Sequence, residues 1–158
     1  MTTERTLPET LRDLAERRVP CVQVVSGADR CICGAYTDDR CSHVGTVPDP
    51  RFAALRGEHE TYGTSDDPIC WHLDDWDAPY CLRTDLGAIV EAAAACGLTV
   101  SGLGYRTTAL GAKGWICDLR LSDTPSAYWW EGVSPDGTPA EAAGRALAAW
   151  VEQQEEQR

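Results

Sequence analysis

The sequence predicts an α+β protein in two parts, and three observations lead there. Residues 84–158 alternate helical and strand periodicities in the order α-β-β-β-α, which suits a three-stranded antiparallel sheet packed by two helices as a sandwich, since each helix must bury its apolar stripe. Residues 1–83 instead gather cysteine and histidine into short C-x-C and C-x-H pairs, the pattern of a metal-stapled module. The composition, 43% hydrophobic and 25% charged, is that of a folded chain. At 158 residues there is room for one ordinary domain, or for a small stapled module fused to a compact one, but not for two large cores.

Thr6-Leu7-Pro8-Glu9 forms a capping box, with Pro8 in the first turn where its missing N–H does no harm. It predicts a helix to about Arg18 with Leu7, Leu11 and Leu14 on one face. Val19 to Val25 (VPCVQVV) is β-branched and predicts a strand, turned by Ser26-Gly27-Ala28-Asp29 into the cysteine stretch. Asp49-Pro50 opens a helical turn over RFAALR, residues 57–68 read as a polar loop, and Ile69 to Leu73 as a brief strand.

The second part is more regular. Asp85 to Cys96 reads as a helix capped by Thr84 or Asp85, burying Leu86, Ile89, Val90 and Ala93, and stopped by Gly97 in left-handed geometry. A strand over 98–105 follows, with Gly102-Leu103-Gly104 marking an irregularity. In the next strand Trp115, Cys117, Leu119 and Leu121 alternate with Ile116, Asp118, Arg120 and Ser122, which places the first set toward a core. Residues 127–133 (AYWWEGV) form the third strand, and its alternation sets Trp129 opposite Tyr128 and Trp130, so one large ring is left either beneath a helix or free as an interface anchor. Thr138-Pro139-Ala140-Glu141 is a second capping box. It opens a helix to about Glu152 that buries Ala140, Ala143, Leu147, Trp150 and Val151, before a polar end at 152–158 that frays.

The chemistry-bearing stretch is RCICGAYTDDRCSH, residues 30–43. Side chains two apart on an extended chain point the same way, so Cys31 and Cys33 can face one point, with Cys41 and His43 facing it from the returning arm. Three thiolates and an imidazole make a closed tetrahedral zinc site whose role is structural. Cys70 and His72 repeat the C-x-H form, and with Cys81 they offer a replacement ligand, a second ion site, or a catalytic zinc with one open position. Mixed cysteine and histidine ligation also occurs in iron–sulfur centres, although the spacing departs from the Rieske pattern. Cys21, Cys96 and Cys117 lie in apolar patterns and read as core packing. Eight cysteines without an apolar leader fit ligands and buried thiols in a cytoplasmic protein better than disulfides.

Net charge is −11, from 25 acidic and 14 basic side chains, which argues against binding nucleic acid through its phosphates. The longest apolar run carries Glu91 and is too short to span a bilayer, so no membrane role is expected. P-loop, G-x-G-x-x-G and H-E-x-x-H motifs are missing, and the acids Asp74, Asp75 and Asp77 near His72 lack a nucleophile and base at recognisable spacing. The expectation is a non-enzymatic protein with a structural zinc and a protein partner. The acidity leaves open an inhibitor that imitates nucleic acid, and the Cys/His pairs leave open a small metalloenzyme or redox protein.

GWICDLRL (114–121), Thr138-Pro139-Ala140-Glu141-Ala142 and Arg145-Ala146-Leu147 resemble the tryptophan-bearing strand and helix opening of small α/β sandwich domains in phage and prophage proteins of unknown role. The resemblance covers the second half only. It implies a phage or prophage accessory protein and transfers no catalytic residue.

Overall fold

The computed structural model describes residues 5–20, 46–58, 61–62, 69–70, 80–108, 110–123, 130–135 and 137–157. Helix α1 (Leu7–Ala15) leads into β1 (Arg18–Pro20), which pairs antiparallel with β2 (Thr46–Pro48). A 3-10 helix over Pro50–Leu55 follows. Next, β3 (Arg56–Gly57) pairs with β6 (Cys81–Leu82), and nested within that ladder β4 (Thr61–Tyr62) pairs with β5 (Ile69–Cys70). After α2 (Leu86–Ala95), strands β7 (Leu98–Thr107), β8 (Lys113–Leu121) and β9 (Trp130–Ser134) form an antiparallel sheet in that order, and α3 (Pro139–Glu156) ends the description. The α+β class and the three-stranded antiparallel sheet are as the periodicities predict.

The local signals act largely where the sequence places them. Thr6 and Glu9 form a reciprocal capping box on α1. Asp49 caps the 3-10 helix by accepting from Arg51 N at 3.0 Å, and Asp85 caps α2 by accepting from Ala88 N at 3.0 Å. Gly97, at φ 79°, turns the chain out of α2 in a conformation that side chains rarely tolerate. The register of β7 on β8 shifts between Val100 and Gly102, the irregularity the glycine pair predicts.

Several expectations are corrected. Helix α1 ends at Ala15 rather than near Arg18, and strand ladders take Arg56 from the end of the expected helical turn and Gly57 and 61–62 from the expected loop. On α2 the buried set is Ala88, Ile89, Ala92 and Ala93, with Leu86 only partly buried and Val90 exposed. The small alanines turn inward because α2 lies against the 3-10 helix and α3 as well as the sheet. Leu121 is exposed because β9 begins opposite Leu119, leaving it beyond the end of its flanking strand. Ile116, on the sheet face away from the helices, is nonetheless 1% exposed. The expected fraying from 152 gives way to helix through Glu156, where Glu155 pairs with Arg17 at 2.5 Å.

Residues directly opposite in an antiparallel ladder share a face. Trp115, Cys117 and Leu119 therefore share a face with Ser134, Gly132 and Trp130, and with Tyr105, Leu103 and Val100 on β7. Both α2 and α3 cover this face. Trp130 meets Trp150 edge to face with ring centroids 6.5 Å apart, and its indole N–H donates to Gln153. Helix α3 lies so close to β9 that a β-carbon on Gly132 would stand 2.5 Å from Ala146 N. One buried cluster joins Leu11 and Leu14 of α1, Phe52 and Leu55 of the 3-10 helix and Leu82 of β6 to Ile89, Leu119, Leu147 and Trp150. Residues from both sides of position 83 thus share a single core.

Candidate functional site

Cys31, Cys33, Cys41, His43 and His72 lie outside the described residues. Cys70 is described through its backbone, which pairs with Thr61 at the end of β5. Cys81 opens β6 opposite Gly57 and is buried. Among the described residues, no three His, Cys, Asp or Glu side chains gather as a metal site.

What the structure does place is the root of each Cys/His excursion. Residues 21–45 leave from and return to the β1–β2 ladder, in which Val19 faces Val47. Residues 58–80 leave from and return to the β3–β6 ladder, in which Arg56 faces Leu82. These two necks are neighbours. Arg56 reaches across from β3, donating to the carbonyls of Ala15 at 2.8 Å and Asp49 at 3.1 Å. Between the necks lies a cavity of about 610 Å³, lined by Glu16, Arg18, Pro48, Arg56, Glu58 and Tyr80 among others. Tyr80 Oη donates to Glu16 at 3.3 Å across this space. The described ends of the two Cys/His-bearing segments therefore lie in one region of the fold.

Beside the necks sits Asp49, 1% exposed and the most buried acid described. Burial alone would raise its carboxyl, but the side-chain and backbone hydrogen bonds of Arg51, and the charges of Arg51 and Arg17, hold it below the ordinary Asp value. Arg51 Nη2 lies 2.7 Å from Oδ2, Arg17 Nε 3.9 Å from the same oxygen, and Asp49 N donates to Arg17 O at 2.8 Å. The Arg51 guanidinium also lies 5.8 Å from the Trp150 ring centroid, within cation–π range. This ion-pair hub ties β2 and the 3-10 helix to the end of α1 and to α3. The sequence reading sees Asp49 only as a helix cap, since Arg17 is remote along the chain and no local pattern links the two.

The Cys96 and Cys117 thiols are poor nucleophiles. Burial pushes Cys117 up to about 11, with the nearby Asp118 adding to it. Burial likewise raises Cys96 to about 11, although Arg51 pulls the other way. This agrees with the packing role predicted for both, since Cys117 lies in the core cluster and Cys96 packs against it. Ser134 is fully buried and donates to Glu141 at 2.6 Å, with no histidine among the described residues to act as its base. Several described carboxylates are taken up by arginines: Asp13 by Arg5, Asp85 by Arg83, Asp118 by Arg106, Glu141 by Arg145. Among the described residues no helix is long and apolar enough to cross a membrane. No protein family, curated protein or solved structure matches the chain.

Proposed function

We propose that the protein is a non-enzymatic, zinc-stapled accessory protein of phage or prophage type that acts through contact with another protein. The spacing of Cys31, Cys33, Cys41 and His43 carries this reading. Three thiolates and one imidazole complete a tetrahedral shell and leave no open position for substrate, so the metal holds the chain rather than reacting. Support comes from the necks of the two segments, ladders of only three and two residue pairs, which are marginal as isolated pairs and gain from a staple. Cys70, His72 and Cys81 form the alternative or second donor set. A protein partner rather than nucleic acid follows from the charge of −11.

The test is elemental analysis by plasma mass spectrometry with a visible spectrum, on the native protein and on Cys33→Ser. About one zinc per chain, colourless, is expected. Cys33→Ser should lose the metal and unfold the stapled segment, because structural zinc supplies on the order of 10 kcal/mol of folding free energy. Iron with visible absorption would replace the reading by a redox one. Absence of metal together with unchanged melting of Cys33→Ser would overturn the staple.

A further inference from the structure

The edge of the sheet carries an inference independent of any metal. Strand β7 is an edge strand of ten residues among the described elements, whereas natural sheets commonly guard such edges with charge, proline or brevity. The core cluster reaches Val100 on β7, but Leu103 and Tyr105, further along the same face, are 37% and 62% exposed. The charge pattern marks the same place. No Asp or Glu occurs between Glu91 and Asp118, the longest acid-free interval in a chain of net charge −11, and its only charges are Arg106 and Lys113. Two copies of so acidic a chain repel one another over most of their surface and least over this hairpin.

We infer that two copies of the chain join edge to edge through β7, antiparallel about a two-fold axis at Gly104, forming one continuous six-stranded sheet. The register is self-complementary, as a two-fold contact requires. With Gly104 on the axis, Tyr105 of each copy faces Leu103 of the other on the exposed end of the helix-covered face, giving two aromatic–aliphatic cross-strand pairs. On the opposite face Arg106 of each copy lies against Gly102 of the other. There it meets that copy's own Arg106–Asp118 pair, which stands over Gly102, with Asp118 Oδ2 at 3.1 Å and Arg106 Nη1 at 3.9 Å from where a β-carbon would be. The Asp118 carboxylate pairs through Oδ2 with Arg106 of its own chain, while Oδ1 is buried and has no hydrogen-bond donor among the described residues.

Sedimentation velocity over a concentration series tests this. The native chain should show twice the chain mass at high concentration, with dimerisation strengthened by added salt as the net repulsion is screened. Leu103→Lys and Tyr105→Glu should each return the mass to one chain while leaving the far-ultraviolet circular dichroism unchanged. The double variant L103K/Y105E should dimerise again, because each introduced lysine then faces the introduced acid of the other copy. Gly104→Lys gives a further reading: no described atom lies within 4 Å of a β-carbon there, so the monomer accepts the side chain, but two lysines would meet on the axis. A native chain that stays at single-chain mass overturns the proposal, as do single variants that remain dimeric. A double variant that stays monomeric overturns the register.

Discussion

The ladders on either side of α2 are built on different scales. Before it, β1–β2, β3–β6 and β4–β5 pair over two or three residues each. After it, β7 and β8 run for ten and nine residues and carry two helices on one face. Two-stranded ladders so short are marginal in water, whereas three strands with a covered apolar face can stand on burial alone. The N-terminal elements therefore hold by what they attach to. Leu11, Leu14, Phe52 and Leu55 dock into the core of the sheet and helices, and Asp49 with its arginines fastens the first neck to α1 and the 3-10 helix. A C-terminal lesion should then destabilise every described element, and an N-terminal one should be felt chiefly at the necks.

The largest effect predicted from packing is at Gly132. The backbone of α3 closes over it, and neither Ala142 O nor Ala146 N can yield as a flexible side chain would. Gly132→Ala must push α3 away from β9 and open the face that also receives α2, at about 3 kcal/mol. In a chain of this size that lowers the melting temperature on the order of 10 °C. A single cooperative transition displaced as a whole would support a shared core. A shift confined to one of two separate transitions would break the comparison.

Asp49→Ala comes next, at about 2–3 kcal/mol, because it leaves the Arg51 guanidinium and the inward-facing Arg17 without their acid, discounted for the partial exposure of both arginines. The pH dependence has a definite sign. The folded Asp49 carboxyl is held below its ordinary value of 3.8, so below that value the unfolded chain binds protons first and stability rises with pH there. The contribution is complete above about 3.8 and is lost as acidification passes through the depressed folded value. Acid titration of native and Asp49→Ala proteins, followed by melting, should show the two curves converging toward low pH. Parallel curves would mean that the hub contributes nothing as an ion pair.

How far the sequence was legible follows from the range of each signal. Caps, the glycine stop after Cys96 and the bulge at Gly102 are decided within a few residues, and they stand where the sequence puts them. The buried side of α2 is decided by three packing partners at once, and the apolar period placed Val90 inside where alanines were needed. The Asp49 hub was illegible for the same reason, since its arginines come from elements far apart in the chain. The edge exposure of Tyr105 required knowing where the helix layer ends. Of the candidate site, the sequence supplies the ligand types, and the structure adds only that the ladders flanking the two segments are neighbours.

The smallest effect sharpens the comparison most, because the same signature occurs in both halves. Thr6-Leu-Pro-Glu9 and Thr138-Pro-Ala-Glu141 both read as capping boxes. In α1 the box closes: Glu9 accepts from Thr6 N at 2.8 Å while Thr6 Oγ1 accepts from Glu9 N at 3.4 Å, all in solvent. In α3 only the threonine half forms, with Thr138 Oγ1 accepting from Glu141 N at 3.2 Å. The Glu141 carboxylate turns instead to the buried Ser134 hydroxyl at 2.6 Å and to Arg145 at 2.7 Å. The Ser134 bond does most to hold that carboxyl below the ordinary Glu range, against the opposing effect of burial. Glu141→Ala thus strips the acceptor from a fully buried hydroxyl and costs about 2 kcal/mol, whereas Glu9→Ala exposes one N–H to water that can take its place. Chemical denaturation at neutral pH should rank the variants in that order. Equal losses would mean that Glu141 serves only its helix end and that Ser134 finds another acceptor.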